Sequence, residues 1–221
     1  MWDNATVWML LEGIGATLYM TVTSTLMAYL FGLPMGILLV ITKKDGLRPN
    51  GTIYKVLDVF VNIVRSVPFL ILLISVIPIT KLIVGKSYGP TATIVPLTIA
   101  AAPFVARMVE SSLLEVDQGV IEAAQSMGAS TFAIVCKVLL AEAKTSLIVG
   151  STIATGTILG YSAMAGVVGG GGLGDIAIRY GYYRYQTDIM LVTVVLLVVL
   201  VQILQIIGMR ISKKTDRRIV G

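Results

Sequence analysis

Long apolar stretches alternate with short polar connections along this chain. The first stretch lies between Glu12 and Lys43. A second runs from about Val56 to Ile79, interrupted by "RSVP" at 65–68. A third lies between Lys86 and Arg107, a fourth between Lys144 and Asp175, and a fifth from Ile189 to Ile207. A helix crossing a bilayer needs roughly 20 apolar residues, so this pattern predicts five spans. Runs such as "IMLVTVVLLVVLVQILQII" lack the period-two alternation of a barrel strand. The expected fold class is an all-α integral membrane protein, because a helix pairs its own backbone polar groups in lipid. Pro34 and the pair Gly32-xxx-Gly36 allow the first span to kink or tilt.

Composition agrees. Of 221 residues 56% are hydrophobic and 13% charged, a balance that a water-soluble domain could not cover with polar surface. With five spans and short loops there is no room for a separate soluble domain, so residues 1–221 are read as one membrane domain. The start, "MWDNATVWMLLEG", lacks the positive region of a signal peptide, and no cleavage is expected. The net charge of +5 bears on topology first. Lys43, Lys44, Arg48, Lys55, Arg107, Lys137, Lys144, Arg210, Lys213, Lys214, Arg217 and Arg218 fall on one side if there are five spans. Only Lys81, Lys86, Arg179 and Arg184 fall on the other. This asymmetry predicts the N-terminus outside and the C-terminus in the cytoplasm. The basic residues are scattered without interleaved aromatics, so no nucleic-acid partner is expected. No tandem repeat is visible and the span count is odd, so a symmetric pore would need a second copy of the chain. The absence of histidine removes the usual triads, the His-containing zinc sites and the His proton relays. Cys136, the single cysteine, reads as a small packing residue.

One segment breaks the apolar pattern. In "GVIEAAQSMGASTFAIVCKVLLAEA", residues 119–143, two helical pieces meet at a glycine. Asp117 is placed to cap the first piece and Ser130 the second. Val120, Ala123, Ala124 and Met127 form a stripe at helical spacing, opposite Glu122, Gln125 and Ser126. Gly128 stands where a left-handed turn would end the first piece. Two readings are open: a helix lying among lipid headgroups, or a docking surface for another protein. Interfacial helices carry Lys or Arg on the polar face, and this one has Glu, Gln and Ser, which favours docking.

At these residues the chain resembles the membrane subunits of ATP-binding-cassette importers. "EAAQSMG" is similar to their EAA loop: Glu122, Ala123, Ala124 and Gly128 fit, whereas the ending Val138-Leu139-Leu140-Ala141 lacks the proline usual there. The resemblance implies a type I importer permease fold with a cytoplasmic coupling loop at about 111–145. In it Glu122, Ala123, Ala124, Met127 and Gly128 would sit in a groove of an ATPase subunit. The segments "NIVRSVPFLILL", "IVPLTIAAAPFVARMVE", "GYSAMAG" and "GGGGLGDIA" are similar to permeases that import D- and L-methionine. That likeness implies a homodimer, two ATP-binding-cassette ATPase subunits, an extracytoplasmic lipid-anchored binding protein, and a bacterial inner-membrane location. ATP and Mg would be used by the partner ATPase, with no cofactor on this chain and no enzymatic chemistry in it. Permeases for phosphonate or glycine betaine share the glycine-rich and EAA segments and stay open as alternatives.

Two phosphate-binding look-alikes carry little. "GKS" at 85–87 has Thr80 where the first glycine of a phosphate loop belongs, and "GGGGLG" at 169–174 follows a membrane span rather than a strand. The glycine run reads instead as a flexible outward-facing connection. Arg65, with Pro68, has either a structural role at a helix break or a role in transport. Gly156-xxx-Gly160 reads as helix packing. Tyr161, Ser162 and Met164 either line the pathway or its gate, or are core. A stand-alone secondary transporter would show intramembrane carboxylates or inverted repeats, and a membrane enzyme would show paired carboxylates at membrane depth. Neither pattern is visible.

Overall fold

The computed structural model describes residues 3–215, and all of the regular structure among them is helical. Arg217 and Arg218, counted above for topology, lie outside the described residues. The order is α1 (Asn4–Thr42), α2 (Gly51–Ser66), α3 (Phe69–Val84), α4 (Pro90–Leu114), α5 (Gln118–Ser126) and α6 (Thr131–Ile134). A π-helical turn (Val135–Leu139), α7 (Leu140–Glu142) and α8 (Lys144–Met164) follow. The chain then makes a 3-10 turn (Ala165–Val168), α9 (Gly172–Ile176), a second π-helical turn (Ala177–Tyr182) and α10 (Thr187–Thr215).

Among the described residues four stretches are long and apolar enough to cross a membrane: Asn4–Thr42, Pro90–Leu114, Lys144–Tyr182 and Thr187–Thr215. The second predicted span is not a continuous helix. Gly51–Ser66 and Phe69–Val84 are bent by 109° across their break, and the count reaches five only if this pair is one span. The cause lies in "RSVP". Pro68 has no N–H to continue the ladder and disfavours helical geometry in Val67. Pro68 itself is extended, at φ −56° and ψ 132°, and starts α3. Arg65 falls in the last turn of α2, where a cation suits the carbonyl end of the helix.

The described residues form two compact units. One comprises the chain up to Met27, Val67–Ala101 and Thr155–Gln205. Its core gathers Leu10, Leu173, Ile176 and Ile189, with Met9, Ile14, Tyr180 and Val192 against them. The glycine run belongs here, and it is a buried knot rather than a flexible connection. The Gly89 N–H donates to the Gly169 carbonyl at 2.9 Å. The Leu173 N–H donates to Thr17 Oγ1 at 2.9 Å, while that hydroxyl donates to the Gly13 carbonyl at 2.9 Å. A side chain on Gly174 would run into the backbone of Ala163, and one on Gly166 into the backbone of Gly174. Gly172, at φ +74°, sits 2.6 Å from Thr17 Oγ1 when a Cβ is built on it.

The other unit comprises Ala28–Ser66, Ala102–Ala154 and the described residues from Ile206 onward. Leu39, Val61 and Ala106 are its centre, with Met35, Tyr54 and Leu57 packed on them. Gly32 and Gly36 let α1 press on α4. A Cβ on Gly32 would stand 2.6 Å from the Ala102 carbonyl oxygen, and one on Gly36 2.6 Å from that of Ala106. This is the small-residue contact by which helices approach closely in lipid. The Gly156-xxx-Gly160 pair makes no such contact among the described residues. Gly160 has open space beside it, and a Cβ on Gly156 would meet only Gln205 at 3.6 Å.

Candidate coupling elbow and pathway residues

The elbow forms as its caps require. The Asp117 carboxylate accepts from the Gly119 N–H at 2.7 Å and starts α5. Met127 closes α5, its N–H donating to the Ala123 carbonyl at 3.1 Å. Gly128 follows at φ +77° with nothing within 4 Å of a built Cβ. Only glycine takes this conformation without steric cost, so the space is open but the backbone is restrictive. Ser130 Oγ accepts from the Ala133 N–H at 3.3 Å and starts α6.

What the stripe faces is the informative part. Ala124 is buried, but Val120, Ala123 and Met127 are exposed, Met127 at 81%. Glu122 is exposed and, among the described residues, takes part in no ion pair. The helix capped by Asp117 thus carries an exposed row with a carboxylate beside it. On the second piece Ile134, Val135 and Leu139 are buried while Phe132 is 78% exposed. Cys136 is exposed, so it does not serve as the packing residue expected from sequence.

The pathway candidates separate. Tyr161 stacks flat on Phe69, the first residue of α3, with ring centroids 4.4 Å apart and planes 4° from parallel. The fold thus joins Tyr161 to the first residue of α3, next to Pro68. Ser162 is 1% exposed and its hydroxyl donates to the Leu159 carbonyl at 2.7 Å, so in this chain it is a packing residue. Met164 is half-exposed, on a face of α8 shared with the exposed Gly160. Arg65 is exposed and is in none of the ion pairs among the described residues.

A cluster missed in the sequence stands in α4. Arg107 lies inside that helix rather than in a loop, and pairs with Asp58 of α2 and, at 2.6 Å, with Glu110 one turn on. Its guanidinium also donates to Asn62 Oδ1 at 3.0 Å. Glu110 is 7% exposed, a buried carboxylate that accepts from one arm of the guanidinium while the other arm serves Asp58 and Asn62. Asp58 and Asn62 are four apart on one face of α2, which was the available signal; their partner 49 residues away was not.

Neither phosphate look-alike is a nucleotide site. Gly85 ends α3 in a left-handed turn, its N–H on the Lys81 carbonyl at 2.9 Å. From Gly170 to Gly174 the space beside the glycines is taken by Ala165, Pro90, Thr17 and Ala163 of the same chain. Among the described residues no group of three His, Cys, Asp or Glu could hold a metal.

Comparison with known proteins agrees with this geometry. A permease of Vibrio cholerae described as a probable D-methionine transport system permease protein MetI is 54% identical over 210 residues, 95% of this chain and 93% of that protein. A Haemophilus influenzae protein of the same description is 46% identical over 202 residues, 91% of this chain and 95% of that one. Among solved structures, an inward-facing MetNI methionine ABC transporter superposes with a TM-score of 0.96 at 47% identity, over 98% of this chain and 100% of that one. An amino acid ABC transporter matches at a TM-score of 0.77 with 19% identity over 97% and 99% of the two chains, which shows the shared fold alone. The model of the binding-protein-dependent transport system inner membrane component matches residues 28–221, and the chain belongs to that family.

Proposed function

We propose that this chain is the permease through which an ATP-driven importer passes methionine, in D or L form, across a bacterial inner membrane. The observation that carries the substrate is identity of about half over nearly the full length with permeases named for D-methionine. The whole of 1–221 acts as one transmembrane domain, with the N-terminus outside and the C-terminus in the cytoplasm. Two copies form one pathway, two ATP-binding-cassette ATPase subunits sit beneath it, and an extracytoplasmic binding lipoprotein delivers the solute. ATP and Mg act on the ATPase subunits, and this chain makes and breaks no covalent bond.

The exposed row Val120, Ala123 and Met127, with Glu122 beside it and Gly128 setting the turn, is the ATPase contact. Ala124 anchors that helix to its own chain from the other face. ATP binding draws the two elbows together and opens the pathway outward; hydrolysis returns it inward. Methionine is a zwitterion with an apolar, polarizable tail, so its passage needs no charged ring. Met164, half-exposed, suits such a lining, with Tyr161 braced behind it on Phe69. Arg65 and Pro68 set the bend that positions Phe69.

ATP-driven uptake of a labelled amino-acid panel into vesicles holding the assembled complex tests this. Methionine should accumulate only with ATP inside. Uptake of phosphonate or glycine betaine in its place would overturn the substrate, and uptake without an ATPase subunit would make the chain a secondary transporter.

A further inference from the structure

Between the end of α1 and the second piece of the elbow lies an apolar slot of about 520 Å³. Its walls include Ile37, Leu38 and Ile41 on one side and Phe132, Val135 and Cys136 on the other. Arg48 stands at its edge. The loop after α1 folds back to put it there: the Arg48 N–H donates to the Ile41 carbonyl at 2.8 Å and the Asn50 N–H to that of Thr42 at 2.9 Å. The Arg48 Nε–H donates to Thr131 Oγ1 at 3.1 Å, which ties the guanidinium to the head of α6 beside the slot. Among the described residues the ion pairs belong to Arg107 and Arg179, so Arg48 has no carboxylate partner. The loop carries Lys43, Lys44 and Arg48 against one carboxylate, Asp45.

We infer that this slot holds an anionic phospholipid, its acyl chain along α1 and its phosphate on Arg48. The complementarity is twofold. From Pro34 to Ile41 the α1 wall runs for roughly 10 Å, a depth suited to hydrocarbon rather than to a polar solute. An unpaired, tethered guanidinium where the apolar run of α1 ends lies at headgroup level, and basic pockets between membrane helices select anionic headgroups. A second copy of the chain or a soluble subunit would leave this cation without a counter-charge unless it brought a carboxylate. The lipid would tie the bilayer to the elbow through Thr131 and Phe132. The inference requires only that the chain spans a membrane, and it stands whichever solute is carried.

Cys136 lines the slot, is exposed, and is the chain's single cysteine, so it reports occupancy directly. The rate at which a maleimide labels it is measured on the purified full chain in nanodiscs. Discs of phosphatidylcholine alone are compared with discs that include phosphatidylglycerol. Labelling should slow roughly fivefold with the anionic lipid, the preference one arginine supports near such a surface. Arg48→Gln should remove the difference. Leu38→Trp, which fills the slot without touching the charge, should protect Cys136 in both discs and serves if the arginine variant does not fold. Equal labelling in the two wild-type discs overturns the proposal. So does full protection in detergent freed of lipid, which would place protein over the slot.

Discussion

The turn at Gly128 and the turn at Gly169–Gly172 look alike in sequence, each a glycine stop after a helical stretch. They are built for opposite purposes. Gly128 has nothing within 4 Å of a built Cβ, and the helix before it presents Val120, Ala123 and Met127 to the outside. In the glycine run the place of the missing side chains is taken by neighbouring atoms: a Cβ on Gly170 would stand 2.8 Å from the Ala165 carbonyl oxygen, and one on Gly171 2.8 Å from Pro90 Cγ. A glycine kept for what must approach it holds a chain together. A glycine kept for its φ alone, in open space, sets only the direction of the chain.

The largest effect therefore belongs to the buried turn. Gly174→Leu should cost roughly 4 kcal/mol or more, because backbone rather than a side chain would have to move. The measurement is recovery of monodisperse protein after extraction in detergent; normal yield and melting temperature would place the run on a mobile surface. Next comes Arg107→Met, which leaves Glu110 buried without its partner and should destabilise by about 3 kcal/mol. Adding Glu110→Met should restore most of the melting temperature, and no restoration would mean that Arg107 acts through α2 alone.

At the exposed turn stability and activity should come apart. Gly128→Val should cost about 1–2 kcal/mol from the left-handed conformation, with a larger loss of uptake than of folded protein. Glu122→Lys should leave stability within about 0.5 kcal/mol of the parent while abolishing ATPase co-purification and uptake. Normal co-purification by the Glu122→Lys protein would move the coupling surface elsewhere.

The all-helical membrane class was legible because hydropathy over twenty residues integrates many weak signals. So were the caps at Asp117 and Ser130 and the turn at Gly128, since each depends on neighbours within a few residues. The break at "RSVP" was visible as chemistry, but its 109° was not, because proline forbids a straight helix without dictating the new direction. The Arg107 cluster was not legible, since its partner Asp58 comes from a distant turn of chain. The burial of Ser162 and its bond to the Leu159 carbonyl were not legible either, since a hydroxyl in a span reads the same whether it faces a pathway or the core.

The unequal lengths of the helices have a consequence for the lipid they require. At 39 residues α1 is roughly 58 Å long, nearly twice the ~30 Å of hydrocarbon in a typical bilayer. Even at 40° of inclination it would project beyond both edges, so it meets thin and thick bilayers equally well. The 16 residues of α3 give roughly 24 Å, and beyond its start the chain turns sharply away instead of continuing. Hydrophobic mismatch is therefore concentrated on α3 and on Phe69 at its head, not on the helix whose length first draws attention. Lengthening the acyl chains of the host membrane would load the bent pair first and leave α1 indifferent.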